Sequence, residues 1–100
     1  MTEAELMREI QLAVTQEGHR VFRNNIGVCQ TKSGEYIRYG VCNPGGADLI
    51  GWTKEGRFLA IEVKGPKGRV SAQQNLFLQA VTRSGGVGIL ARSVDDVKNI

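Results

Sequence analysis

Apolar positions along this chain change period repeatedly, and each change marks an element. Leu6, Ile10, Ala13 and Val14 recur at the three- and four-residue spacing of an amphipathic helix. Thr2 precedes that run as a cap, Glu5 three residues later completes a capping box, and Gly18 stops the helix. His19 to Cys29 alternates loosely, with Val21, Ile26 and Val28 apolar, and predicts a strand. Lys32-Ser33-Gly34 predicts a turn into a more polar strand, Glu35 to Tyr39. Two denser apolar runs follow, Ala47 to Trp52 and Phe58 to Val63, separated by the turn-like Thr53-Lys54-Glu55-Gly56; together they predict a hairpin of buried strands. Gly65-Pro66-Lys67-Gly68 breaks the chain, and Ser71 caps a second helix with Leu76, Phe77, Ala80 and Val81 along one side. Ser84-Gly85-Gly86 ends that helix, Val87 to Ala91 reads as a short buried strand, and Ser93 starts a final short helix with Val94 and Val97. The order α-β-β-β-β-α-β-α predicts an α/β fold: a mixed central sheet flanked by helices, closed by a right-handed crossover.

Two acids interrupt the densest apolar runs. Asp48 lies in Gly45-Gly46-Ala47-Asp48-Leu49-Ile50, and Glu62 in Ile61-Glu62-Val63-Lys64. Folding the hairpin brings Asp48 and Glu62 together, and Glu62 and Lys64, two apart on one strand, point to the same face. Two carboxylates and an ammonium among apolar neighbours are costly without compensation. A divalent metal bound by both acids would supply it, leaving the lysine to act on a nucleophile or a phosphate. Before Asp48, the glycines of Asn43-Pro44-Gly45-Gly46 suit a loop that approaches a ligand closely or adopts positive φ.

Size and charge narrow the classes. One hundred residues is about one domain, and 41% apolar with 23% charged residues fits an ordinary soluble globule. No apolar run approaches the ~20 residues of a bilayer span, and the acidic Met1-Thr2-Glu3-Ala4-Glu5 lacks the form of a signal peptide. The expected location is cytoplasmic. A net charge of +3 favours an anionic partner without identifying it. Cys29 and Cys42, without CxxC spacing, are expected to be small, partly buried fillers. His19, at the expected helix end, suits a structural role there.

Asp48 and Glu62-Val63-Lys64 on adjacent strands resemble the motif of the PD-(D/E)xK nuclease superfamily, with Ala47 in the place of its proline or small residue. A closer resemblance, to the small stand-alone VRR-NUC (virus-type replication-repair nuclease) domains of phages and bacteria, covers nearly the full length. It is carried by Thr2-Glu3, Gly18-His19-Arg20-Val21-Phe22-Arg23-Asn24-Asn25, Gly45-Gly46-Ala47-Asp48-Leu49-Ile50-Gly51, Ile61-Glu62-Val63-Lys64 and Gly68-Arg69-Val70-Ser71-Ala72-Gln73-Gln74. The resemblance implies one nuclease domain over residues 1–100 with a restriction-endonuclease-like core, acting on DNA with Mg²⁺ or Mn²⁺; a phage-encoded chain would work in its host's cytoplasm.

The resemblance also implies roles for individual residues. Asp48, Glu62 and the carbonyl of Val63 would offer the hard oxygen ligands these ions prefer. Lys64 would orient and help deprotonate the attacking water, or stabilise the pentacovalent phosphate. Glu3 on the first helix would complete the acidic cluster, directly or through a metal-bound water, with Glu5 as a rival. Gln74 would contact the site or the scissile phosphate; Gln73 points about 100° away and cannot serve equally. From the charge pattern itself, Lys67 and Arg69, between flexible glycines, would contact phosphates, and Arg23, Tyr36 and Arg38 would extend that surface.

A structure-selective endonuclease of the Holliday-junction-resolvase kind, working on four-way junctions as a two-fold homodimer, is the leading expectation. Phe22, Tyr39, Trp52 and Phe77 are candidates for either its dimer surface or the core. A duplex-cutting or nicking nuclease of the same superfamily, and a non-catalytic DNA-binding module, are the alternatives.

Overall fold

The computed structural model describes residues 1–100. Its elements are α1 (Glu3–Gln16), β1 (Arg20–Arg23), β2 (Gly27–Gln30), β3 (Tyr36–Tyr39), β4 (Leu49–Trp52), β5 (Phe58–Val63), α2 (Ala72–Arg83), β6 (Val87–Ala91) and a 3₁₀ turn, Val94–Val97. Four strands form one sheet in the order β1-β4-β5-β6, while β2 and β3 pair separately. β4 is antiparallel to both β1 and β5, and β6 is parallel to β5 after the crossover through α2. This is the mixed α/β architecture expected.

Each face of the sheet carries one helix. Leu6, Met7, Ile10 and Val14 of α1 pack on Leu49, Leu59, Ile61 and Val63, whereas Leu78 and Val81 of α2 pack on Ala47 and Ala60. β5 is therefore covered on both sides, which explains its nearly unbroken apolar run: every residue except Phe58 is buried. The side chains alternate strictly, so Leu59, Ile61 and Val63 face α1 while Ala60 and Glu62 face α2.

The helix ends follow the local chemistry. Thr2 caps α1 by accepting the Glu5 N–H at 3.1 Å, but the Glu5 carboxylate turns to the Thr2 hydroxyl instead of its N–H. Gly18 at φ 93° lets the chain leave the helix, with the His19 N–H donating back to the Val14 carbonyl. His19 is buried, and its Nδ1 accepts the Lys54 N–H at 2.9 Å, so its role is structural but serves the β4–β5 turn rather than the helix end. Ser71 and Gln74 form a complete capping box at the start of α2.

Four expectations need correction. The strand expected from His19 to Cys29 is two strands, and the chain turns away after Asn24, whose side-chain amide donates to the Val41 and Ala47 carbonyls and accepts the Val41 N–H. The buried stripe of α2 is Leu78 and Val81 with Phe77 half-buried, while Leu76 and Ala80 are exposed. Cys29 and Cys42 are exposed rather than partly buried: Cys29 lies on the uncovered β2–β3 hairpin, and Cys42 at the edge of an open pocket beside α2. The final element closes as a 3₁₀ turn, with Asp96 accepting the Arg92 and Ser93 N–H groups.

Candidate active site

The β4–β5 register pairs Leu49 with Ile61, so extending it by one residue sets Asp48 opposite Glu62. Asp48 lies just outside the ladder, where the chain bends into β4. Its backbone carbonyl accepts the Asn24 N–H at 2.8 Å, and its Oδ2 accepts the Val63 N–H at 2.8 Å. The Asp48 side chain thus takes a backbone donor at the end of β5 and is held against that strand. The preceding loop is fixed by close packing. Gly46 has the Val41 carbonyl where a Cβ would stand, and Gly45, at φ 102°, has Gln73 against it. Gly45 thus takes the positive φ that the sequence allowed for, and both glycines let neighbouring chain approach closely while lining the groove beside Asp48.

Glu62 is 1% exposed, and neither of its carboxylate oxygens has a hydrogen-bond partner. Burial first, and then the charge of Asp48 beside it, push its pKa up to about 8. Lys64 pulls in the opposite direction and Glu3 adds to the rise, but burial and Asp48 prevail. An isolated ionised carboxylate in such a place is costly. The oxygens fit two roles: sharing a proton with Asp48, or binding a cation. Asp48 and Glu62 bring carboxylate oxygens together, the donor type that suits Mg²⁺ or Mn²⁺. No third His, Cys, Asp or Glu side chain joins them to form a cage.

Glu3 approaches from α1. Its Oε2 accepts the Gly65 N–H at 3.3 Å, next to Lys64, whereas Glu5 turns to Thr2. Of the two rivals, only Glu3 is turned toward the end of β5, where its charge acts on Glu62. Gln74 lines an open groove of about 800 Å³ together with Asp48, Arg23, Asn25, Tyr39 and Gly45. Its Oε1 accepts the Ser71 N–H, so the carbonyl end of the amide is engaged in capping α2. Lys64 is half-buried, its stem close over Gly68. Lys67 and Arg69 are exposed on the loop beyond it.

Two supports escaped the sequence reading. Arg92 donates through one guanidinium nitrogen to the carbonyls of Gly65 and Gly68, at 2.8 Å each, and pins the loop that follows Lys64. Asn43 donates to the Gly27 and Tyr39 carbonyls, tying the loop before Asp48 to the root of the β2–β3 hairpin. Neither has a sequence signal, since an arginine after a strand and an asparagine before a proline are common in loops.

The model of the VRR-NUC domain matches residues 3–95 of this chain. The chain belongs to the VRR-NUC family. The match runs from α1 into the 3₁₀ turn and so takes in every element that borders the acid pair. No curated protein and no solved structure matches. Membership makes the VRR-NUC chain a nuclease, with DNA as the substrate that such a domain implies, and its mixed sheet between two helices agrees with a PD-(D/E)xK-like fold. The family is generally dependent on divalent metal.

Proposed function

We propose that this VRR-NUC chain is a structure-selective DNA endonuclease of the Holliday-junction-resolvase kind, dependent on Mg²⁺ or Mn²⁺ and active as a two-fold homodimer. The observation that carries the metal assignment is the Glu62 carboxylate, buried without a donor and beside a second acid. Asp48, Glu62 and the Val63 carbonyl would hold the ion, which when bound supplies positive charge to a phosphate oxygen and acidifies a water. Lys64, on the face of β5 that carries Glu62, orients that water and offers a donor to the phosphate as negative charge develops there. Glu3, engaged with the Gly65 N–H beside Lys64, would complete the acidic cluster directly or through a bound water. Gln74, with its carbonyl end committed to the cap, has its NH₂ left to donate to the scissile phosphate. Lys67 and Arg69 on the loop and Arg23 in the groove contact neighbouring phosphates without reading sequence.

The dimer reading rests on an uncovered part of the sheet. Phe22 stands opposite Ile50 in the β1–β4 register, and Trp52 opposite Phe58 in the next. Ile50 belongs to the α2 face, and alternation puts Phe22, Trp52 and Phe58 there too. The Phe22 and Trp52 rings lie 5.8 Å apart at 46°, and all three aromatic residues are about half exposed. Phe77, by contrast, packs against the core, so it ranks below them as an interface residue.

The test combines labelled linear duplex, flap and four-way DNA with Mg²⁺, Mn²⁺ or EDTA, together with sedimentation at micromolar concentration. Paired, nearly symmetric nicks in the junction, poor cutting of duplex, loss of activity in EDTA and a dimer are the expected results. A monomer preferring flaps or plain duplex overturns the resolvase part, and cleavage that persists in EDTA overturns the metal part.

A further inference from the structure

The β2–β3 hairpin serves no purpose in the chemistry above, yet it has an unusual set of properties. It is a separate two-stranded sheet whose β3 residues are all exposed. Tyr36 is 74% exposed, and Val28, Ile37 and Tyr39 are each about half exposed. Such a ribbon is marginal in water unless something anchors it. Here the anchoring is confined to the root, where Asn43 holds Gly27 and Tyr39 and Asn24 holds Val41. The blade itself stands away from the body. Accordingly the radius of gyration is 14.1 Å, against about 13 Å for a compact chain of this length.

Charge distinguishes the same region. Residues 20–41 hold four of the thirteen Lys and Arg residues (Arg20, Arg23, Lys32, Arg38) and one of the ten Asp and Glu residues (Glu35), leaving nine of each elsewhere. The net +3 of the chain thus resides in β1 and the hairpin, and the remainder is balanced. The hairpin is also continuous with the groove of the acid pair, because Tyr39 at its root lines that groove with Asp48. Tyr39 and Ile37 share one face; Tyr36 and Arg38 share the other with Gln30 and Val28.

We infer that the β2–β3 hairpin is an arm that lies in a groove of the DNA duplex flanking the cut, with Lys32 and Arg38 on its phosphates. The inference rests on the proposed reading of the acid pair as the cutting site. The major groove, about 12 Å wide, admits a two-stranded ribbon. With both faces free, the thin ribbon sets its apolar face on the sugars and its long cationic side chains on the bordering phosphates. From Tyr39 to the tip at Ser33 the arm reaches roughly 15–20 Å, or about four to six base pairs from the groove. The arm thereby makes the enzyme sensitive to the length of duplex beside the cut.

The test measures single-turnover cleavage in Mn²⁺ against protein concentration, on substrates whose duplex flank extends about three or about twelve base pairs beyond the cut. For the variant Lys32→Ala, the apparent affinity for the long flank should fall several-fold, with the salt slope reduced by about 0.9 for one lost phosphate contact. Affinity for the short flank and the plateau rate should stay as in the wild type. Ile37→Glu, which places an anion on the exposed blade without touching the core, should show the same flank dependence. Equal affinity of variant and wild type on both flanks overturns the arm, as does equal weakening on both. A change in sedimentation without flank dependence assigns the hairpin to a second copy and overturns it too. Wild-type protein that cuts neither substrate overturns the nuclease reading beneath, and the arm with it; flank-independent cleavage by the wild type overturns the arm alone.

Discussion

The chain contains two hairpins, β2–β3 and β4–β5, and they obey opposite rules. In β4–β5 the sheet continues on both sides and a helix covers each face, so nearly every side chain of β5 is buried. In β2–β3 neither face is covered, and aromatic and β-branched residues meet solvent. The buried hairpin tolerates one polar departure, the Asp48–Glu62 end, at a cost visible in the raised pKa of Glu62. The exposed hairpin tolerates almost any side chain at no such cost. Local strand propensity is similar in the two; burial decides which one can store electrostatic tension. A charged ligand relieves tension in the first, whereas the second offers only surface.

The sharpest way to break that comparison is to remove the tension. Asp48→Asn and Glu62→Gln should each abolish cleavage while leaving the fold and much of the DNA affinity, because the amide keeps the shape but is a poor ligand for a hard cation. Titration of Mn²⁺ by calorimetry should show weakened binding in both, and wild-type binding together with wild-type turnover would remove the metal site from this hairpin. The tension should also appear without metal. The folded state holds the Glu62 proton up to about pH 8, against 4.5 in the unfolded chain. Between those values the folded state binds more protons, so stability falls as pH rises; below 4.5 and above about 8 this group contributes no slope. At about 1.4 kcal/mol per pH unit, the loss across that interval amounts to roughly a few kcal/mol. Urea denaturation of metal-free protein from pH 5 to pH 8 should reveal the decline, and Glu62→Gln should flatten it; parallel curves would assign the slope to other groups.

How much of this was legible in the sequence follows the same division. The β4–β5 hairpin, the acid pair and both main helices could be read because double burial writes continuous apolar runs and caps have fixed spacings. The break at Asn24 could not, since an asparagine that pins two distant carbonyls looks like any strand-edge polar residue. The face of α2 was misread because Leu76 and Ala80 satisfy helical spacing, yet only the angle of packing decides that Leu78 is inside. Glu3 meets Gly65, 62 residues away, in a contact that no local pattern encodes. Arg92, which holds the loop after Lys64, lies beyond reach for the same reason.

Within the buried hairpin, packing and chemistry can be separated. Ile61 is fully buried against α1, on the face of β5 opposite Glu62. Ile61→Ala should cost about 2–5 kcal/mol of stability by denaturant titration, through lost transfer energy and the cavity left behind. Lys64→Ala should behave in the reverse manner. It removes a half-buried side chain that packs on Gly68, so stability should change little and Mn²⁺ binding should persist. Its cleavage rate should fall roughly 10²-fold, the scale of a positioned acid–base or charge-stabilising group. Near-normal single-turnover rates would return Lys64 to the role of a surface residue.

The smallest effect is expected at Ile37, and it tests the exposed side of the comparison. Ile37 pairs across the hairpin with Cys29 and is about half exposed. Its truncation leaves no enclosed cavity, because no second layer stands above it, so the cavity penalty that dominates at Ile61 has no counterpart here. What remains is part of one cross-strand pair, worth a few tenths of a kcal/mol. Ile37→Ala should therefore shift stability by less than about 0.5 kcal/mol, measured in the same denaturant series as Ile61→Ala. A loss approaching that of Ile61→Ala would mean that the hairpin is covered in solution, by a second copy or by the body of the chain. The contrast between a buried hairpin under tension and an open one without it would then fail at its simpler end.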